Sequence, residues 1–241
     1  MEVRDKNLYE YILNLADDKT TINMIRANPK VFDNERFYEK VMRKRYPLLI
    51  EFRPPGLSWK EFYLRMVYTL AKLEEDYKIP YIPTKGCNPE RLLTSATTGE
   101  IYNSALSCAA AGGNISLIDY FLEKGATNLD LALLSAGRYS NLNTVKYLIS
   151  KGTTNYELLF EQAAAGGKID TMKFTLDFLA LEGFDVNNYH GRAALQNAIN
   201  SGHIEAVKFL VDNGIEIFPG NIENAKLKGK HEIAKYLKNF I

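Results

Sequence analysis

From about residue 100 onward the apolar and polar positions of the chain fall into columns that recur. The segment Ala109-Ala110-Ala111-Gly112-Gly113-Asn114-Ile115 returns as Ala163-Ala164-Ala165-Gly166-Gly167-Lys168-Ile169. Alignment on that turn gives five anchors, Gly113, Ser140, Gly167, Gly202 and Gly229, spaced by 27, 27, 35 and 27 residues. Four positions before each anchor stand Ala109, Ala136, Ala163, Ala198 and Ala225, and seven before it Leu106, Leu133, Phe160, Leu195 and Ile222. After the anchor, one apolar column reads Ile118, Val145, Met172, Val207 and Ala234, and an aromatic one Tyr120, Tyr147, Phe174, Phe209 and Tyr236. A polar column lies between them: Asp119, Lys146, Lys173, Lys208 and Lys235. Apolar residues at i, i+3 and i+4 with polar residues between them predict amphipathic helices.

Each copy therefore reads as a short helix, a tight turn and a second helix. The second helices are expected to end at Gly125, Gly152 and Gly214, where glycine supplies the left-handed conformation that closes a helix. The all-alanine column marks a close helix–helix approach. One such unit exposes apolar side chains on both flanks, so the copies must stack into a continuous core. The third copy runs on through Leu179-Ala180-Leu181-Glu182-Gly183, which predicts an extra helical turn. The last copy carries Lys226, Lys228, Lys230, Lys235 and Lys238, a polar face that suits a terminal unit.

The first hundred residues lack these columns. Leu8, Ile12 and Leu15, then Ile22, Met24 and Ile25, then Phe32, predict short helices separated by Ala16-Asp17-Asp18-Lys19 and by Asn28-Pro29. Phe37, Val41 and Met42 continue with helical spacing to Tyr46-Pro47. A longer helix is expected from Ser58 to Tyr77, with Ser58 as N-cap, Glu61 completing a capping box, and Trp59, Phe62, Tyr63, Met66, Val67 and Leu70 on its buried face. Pro80, Pro83, Gly86 and Pro89 mark a linker. The organisation read from this is a small helical domain over 1–78, a linker over 79–100, and an all-α helical solenoid of about five repeats over 101–241.

Charge and chemistry narrow the function. Thirty basic residues against 29 acidic ones leave a formal net charge of +1, so the balance provides no electrostatic drive toward nucleic acid or an anionic membrane. The longest apolar runs are a few residues, far short of the roughly 20 needed to span a bilayer. The opening Met1-Glu2-Val3-Arg4-Asp5-Lys6 lacks the apolar stretch of a secretory signal. Cys87 and Cys108 have no paired-thiol spacing, so neither a disulfide scaffold nor a zinc site is expected, and the compartment reads as reducing and cytoplasmic. His190, His203 and His231 are too scattered for a metal centre. No nucleophile motif or phosphate loop is present. Catalysis, cofactors and metals are therefore not expected.

The stretch Gly202-His203-Ile204-Glu205-Ala206-Val207-Lys208-Phe209-Leu210-Val211-Asp212-Asn213-Gly214 resembles the second half of an ankyrin repeat, and Asp185-Val186-Asn187 with Gly191 resembles the family's connecting finger. The copies are shorter than the family period of about 33 residues, and the shortening falls in the connectors at Gly125-Ala126-Thr127-Asn128 and Gly152-Thr153-Thr154-Asn155. The resemblance implies a protein partner held by the finger tips and the exposed edge of the first helices. Carried over by column, that edge is Asn103, Asp130, Glu157 and Arg192, with Arg138, Tyr139 and Asn200 beside the turns and Asn188, Tyr189 and His190 at the surviving finger.

The N-terminal order resembles an F-box, through Ile12-Leu13-Asn14-Leu15, Asp17-Asp18, Phe37-Tyr38, Arg45-Tyr46-Pro47 and Ser58-Trp59-Lys60-Glu61-Phe62-Tyr63. That resemblance implies docking of Leu8, Ile12, Leu15 and Ile22 on the linker subunit of a cullin-type ubiquitin ligase, with the repeats selecting the substrate. The combination is similar to proteins of large DNA viruses, which implies action in a host cytoplasm. The other reading of the same helices is a cap for the repeats, in a scaffolding protein such as a virion component with no ligase link.

Overall fold

The computed structural model describes residues 17–27, 32, 34–80, 82, 84–85, 87–94 and 97–241. Leu8, Ile12 and Leu15, expected on a first helix, lie outside the described residues. Those described are helical or irregular, with no strand among them. The chain divides into two compact units, Met1–Ile101 and Tyr102–Ile241.

In the first unit α1 spans Asp18–Ala27 and α2 spans Glu35–Arg45. A 3-10 turn at Pro47–Phe52 follows, then α3 (Trp59–Tyr77) and a short α4 (Pro89–Leu93). The sequence places Asp18 and Lys19 in a separator, whereas both open α1. The reason is local: the Asp17 carboxylate accepts from the Thr20 amide at 2.7 Å, which starts the helix two residues earlier. The capping box of α3 forms as expected, with the Glu61 amide donating to Ser58 Oγ at 3.1 Å and the Ser58 amide to Glu61 Oε2 at 3.3 Å. Phe62, Tyr63, Met66 and Val67 on α3 bury against Phe37, Tyr38, Val41 and Met42 on α2, with Phe32 and Leu49 closing the cluster. Trp59 and Leu70 are only half-buried. Each fully buried side chain of this size contributes about 1.5–3 kcal/mol, so the aromatic α2–α3 seam is a substantial stabilising element among the described residues of the unit. The proline-marked stretch 79–100 holds α4 and buries Ile79, Ile82 and Leu92.

The second unit is built from five helix pairs: α5 (Thr98–Ala111) with α6 (Ile115–Glu123), α7 (Leu129–Tyr139) with α8 (Leu142–Ser150), α9 (Tyr156–Gly166) with α10 (Ile169–Leu181), α11 (Tyr189–Ser201) with α12 (Ile204–Asp212), and α13 (Pro219–Leu227) with α14 (His231–Leu237). First helices pack on first helices and second on second, giving two layers. All five column alanines are buried without residue, as are Ile118, Val145, Met172 and Val207. Gly125, Gly152 and Gly214 take the left-handed φ expected of helix ends. Helix α10 has 13 residues where α6, α8 and α12 have nine, which is the extra turn read from the third copy.

The anchors have two duties. Gly113, Gly167 and Gly202 need positive φ, and each also receives a side chain from the next copy's turn. A Cβ there would meet Ser140 Oγ at 2.8 Å, the His203 ring at 2.8 Å and Lys230 Nζ at 2.9 Å respectively. The second anchor, Ser140, differs: its backbone is extended (φ −95°), so that turn needs no glycine. Cys87 and Cys108 are each disulfide-bonded, and neither is a free thiol. The expectation of two reduced thiols is corrected.

Candidate functional site

The column read as a free edge of the first helices is engaged inside the protein, and in a regular way. Each member reaches forward to the connector or the first helical turn of the next pair. Asn103 Oδ1 accepts from the amides of Thr127 at 2.7 Å and Asn128 at 2.9 Å. Asp130 accepts from the Thr153 hydroxyl. Glu157 Oε2 lies 3.1 Å from His190 Nε2. Arg192 reaches Glu216 at 3.6 Å and lies over the Phe218 ring at 5.3 Å. The cause is geometric: the N-terminal turn of a first helix faces the segment that enters the following copy, whose backbone and side-chain polar groups need partners.

At the finger, Asn188 caps α11 by accepting from the Gly191 amide at 3.0 Å. Asn187, one residue earlier, ties the finger to the next connector through the Glu216 amide at 2.7 Å and the Gly214 carbonyl at 3.1 Å. His190 sits between two carboxylates of α9, with Nδ1 2.6 Å from Glu161 Oε1. The ring is thus within hydrogen-bonding reach of both acids and gives the buried Glu161 a partner. What remains turned outward is Tyr189, 78% exposed, with its ring edge-on to His190 at 5.2 Å. Phe218, 45% exposed beneath the Arg192 guanidinium, extends that exposed aromatic set.

Beside the turns, Arg138 lies over Tyr139 at 5.5 Å and donates to Gln162 Oε1 at 3.4 Å. Asn200 Oδ1 accepts from Gln196 Nε2 at 3.1 Å and from Asn224 Nδ2 at 3.0 Å. On the second-helix layer, Tyr147 donates to Asp119, and Lys151 stands 3.3 Å from the same carboxylate. The tyrosine hydrogen bond, then the lysine, hold that exposed carboxyl below its ordinary range. Sequence reasoning missed Glu161, Gln162, Phe218 and Asn224. For Gln162 and Asn224 the available signal was the column five positions before the last three anchors, which reads Gln162, Asn197 and Asn224; Glu161 and Phe218 left none.

In the first unit, Ile22 is half-buried against the aromatic core and lines a groove of about 570 Å³ with Val67, Leu70 and Ala71; Lys19, Glu74 and Glu75 also line it. The acidic and basic-aromatic residues that carry the F-box resemblance meet at one point. Asp18 Oδ1 accepts from Arg45 Nη1 at 2.8 Å and from Tyr63 Oη at 3.0 Å, and Tyr46 donates to the other oxygen. Burial first, then the hydrogen bond to and charge of Asp18, push the Tyr46 phenol far above its ordinary range. Burial, followed by the Asp18 charge, does the same for Tyr63. Both tyrosines are locked as neutral donors.

This is an all-helical protein whose second unit is a helical repeat solenoid. Residues 152–220 match the family model described as ankyrin repeats (3 copies). The match runs from the connector after α8 through α9, α10, α11 and α12 to the start of α13. Ankyrin repeats are protein–protein interaction modules, and the match supports that kind of role for this stretch. No curated protein matches the sequence. No helix of the described residues is long and apolar enough to cross a membrane.

Proposed function

We propose that the chain is a recruiting adaptor, in which the repeats hold a target protein and the N-terminal helices dock on the linker subunit of a cullin-type ubiquitin ligase. The observation that supports target binding is the finger surface of the fourth and fifth pairs. Tyr189 and Arg192 stand on the first turn of α11, and Phe218 lies under the Arg192 guanidinium at the end of a connector held by the Asn187–Glu216 hydrogen bond. Exposed aromatic and arginine side chains of that kind carry most of the energy at protein interfaces. Docking is supported by the open groove beside Ile22, with its apolar floor of Val67, Leu70 and Ala71. Binding, not catalysis, is the proposed activity. Among the described residues no three metal-ligating side chains converge, and the acids beside His190 are occupied in holding the finger.

Calorimetric titration of the full chain with a purified linker subunit tests the adaptor reading. Micromolar or tighter binding, weakened by Ile22→Asp with the helical CD signal unchanged, supports it. No binding by the folded chain overturns it and leaves the repeats as a scaffold. Viral origin and action in a host cytoplasm are part of the same proposal. The bonded state of Cys87 and Cys108 is the observation to set against it. Alkylation of the thiols in intact cells decides: two cysteines that resist the reagent overturn the cytoplasmic placement.

A further inference from the structure

We propose that the first-helix face of the third to fifth pairs binds an extended polypeptide segment through its main chain, an inference that rests on the protein-binding reading above. The column five positions before the anchor reads Gln162, Asn197 and Asn224 on α9, α11 and α13, three carboxamides in successive pairs. Gln196 and Asn200 add two more on α11. Their internal hydrogen bonds use only part of their capacity. Gln162 spends its oxygen on Arg138, while Gln196 and Asn224 each spend their nitrogen on Asn200 Oδ1. The remaining functions are Gln162 Nε2, Gln196 Oε1, Asn200 Nδ2, Asn224 Oδ1 and both ends of Asn197. Among the described residues none of these meets a hydrogen-bond partner and none is a buried orphan; Asn200 is exposed and the other four residues are half-buried.

A carboxamide offers one oxygen acceptor and an N–H donor, the same pair as a peptide group. An extended segment presents N–H and C=O groups along its edges with no internal partner. A helical or sheet-bound target has those groups already satisfied, so the ladder selects extended chain over folded structure. The rungs bear neither charge nor ring, so they do not sort partners by side chain. Arg138, at the end of the ladder, is the one charged group in the set.

The experiment uses the full chain, immobilised, and a pool of random-sequence dodecapeptides, with a second pool N-methylated at alternate residues. Mass spectrometry of the retained fraction is the readout. The expected result is retention of the first pool and about tenfold less of the second, the size of a few modest hydrogen bonds. The variant carrying Asn197→Leu and Asn224→Leu should show the same loss, with an unchanged melting curve as evidence of folding. Gln162→Leu serves if that variant does not fold. Equal retention of the two pools, retention indifferent to the substitutions, or no retention overturns the proposal. A chain that fails here yet binds a folded protein through Tyr189 keeps the interaction reading and loses only the main-chain one.

Discussion

His190 shows how one side chain can hold two copies together. Both ring nitrogens face carboxylates of the preceding first helix, and Glu161 is nearly buried. His190→Ala leaves that acid without its partner, and should cost about 1–3 kcal/mol, the range for leaving a buried polar group unsatisfied. Urea unfolding followed by CD checks it, and a loss below about 0.5 kcal/mol would rule the clamp out. Tyr46 and Tyr63 make a second residue-level case. Their phenols are raised in the folded state and ordinary, near 10, in the unfolded one. Below about pH 10 both states keep the proton, and the contribution to stability is whole. Above it only the unfolded chain ionises, so stability falls as pH rises. Phenolate absorbance and helical CD, recorded together from pH 9 to 12, should show these two tyrosines ionising only as the first unit unfolds. Tyr46→Phe should shrink the alkaline loss.

Helix pairing depends on the turns, and the turns are not equivalent. Asn114 and Asn141 cap α6 and α8 with their side chains, whereas α10, α12 and α14 begin at Lys168, His203 and Lys230 without such a bond. Asn141→Ala should therefore cost about 1 kcal/mol, and Lys168→Asn should recover part of that amount in its own copy. Thermal melts of the two variants check the pair. Gly166 faces a different constraint. A Cβ there would stand 1.9 Å from the Arg138 carbonyl oxygen, so the neighbouring backbone must move. Gly166→Ala should destabilise by about 1–3 kcal/mol, although alanine is the better helix former. An unchanged melting temperature would contradict the packing.

Stacked copies behave as a nearest-neighbour array, in which each interface supports the next. The forward-reaching side chains Asn103, Asp130, Glu157 and Arg192 are part of those interfaces. Tyr189 is not: its side chain faces solvent. Tyr189→Ala should therefore lower affinity for the target about 30-fold, as a 2 kcal/mol hot spot does, with no shift in melting temperature. Asp130→Ala should do the reverse, weakening the fold while leaving the outward surface in place. Paired binding isotherms and melts of the two variants separate a recognition role from a stacking one.

The repeat itself was legible in the chain, because burial of an alanine or a large apolar residue at a fixed helical position leaves a periodic trace. The five pairs, their glycine ends and the long α10 all follow from spacing alone. So does the capping box of α3, a contact between near neighbours. What spacing could not decide is which polar side chains face water. Asn103 and Asp130 read as open edge, yet each meets a connector more than 20 residues ahead, a partner visible only once the copies stack. Asp18, likewise, read as a turn residue and became the acceptor that joins α1 to Arg45, Tyr46 and Tyr63. Apolar positions are dictated by a shared solvent preference and so repeat; polar ones are satisfied by individual partners, and those are chosen by the tertiary fold.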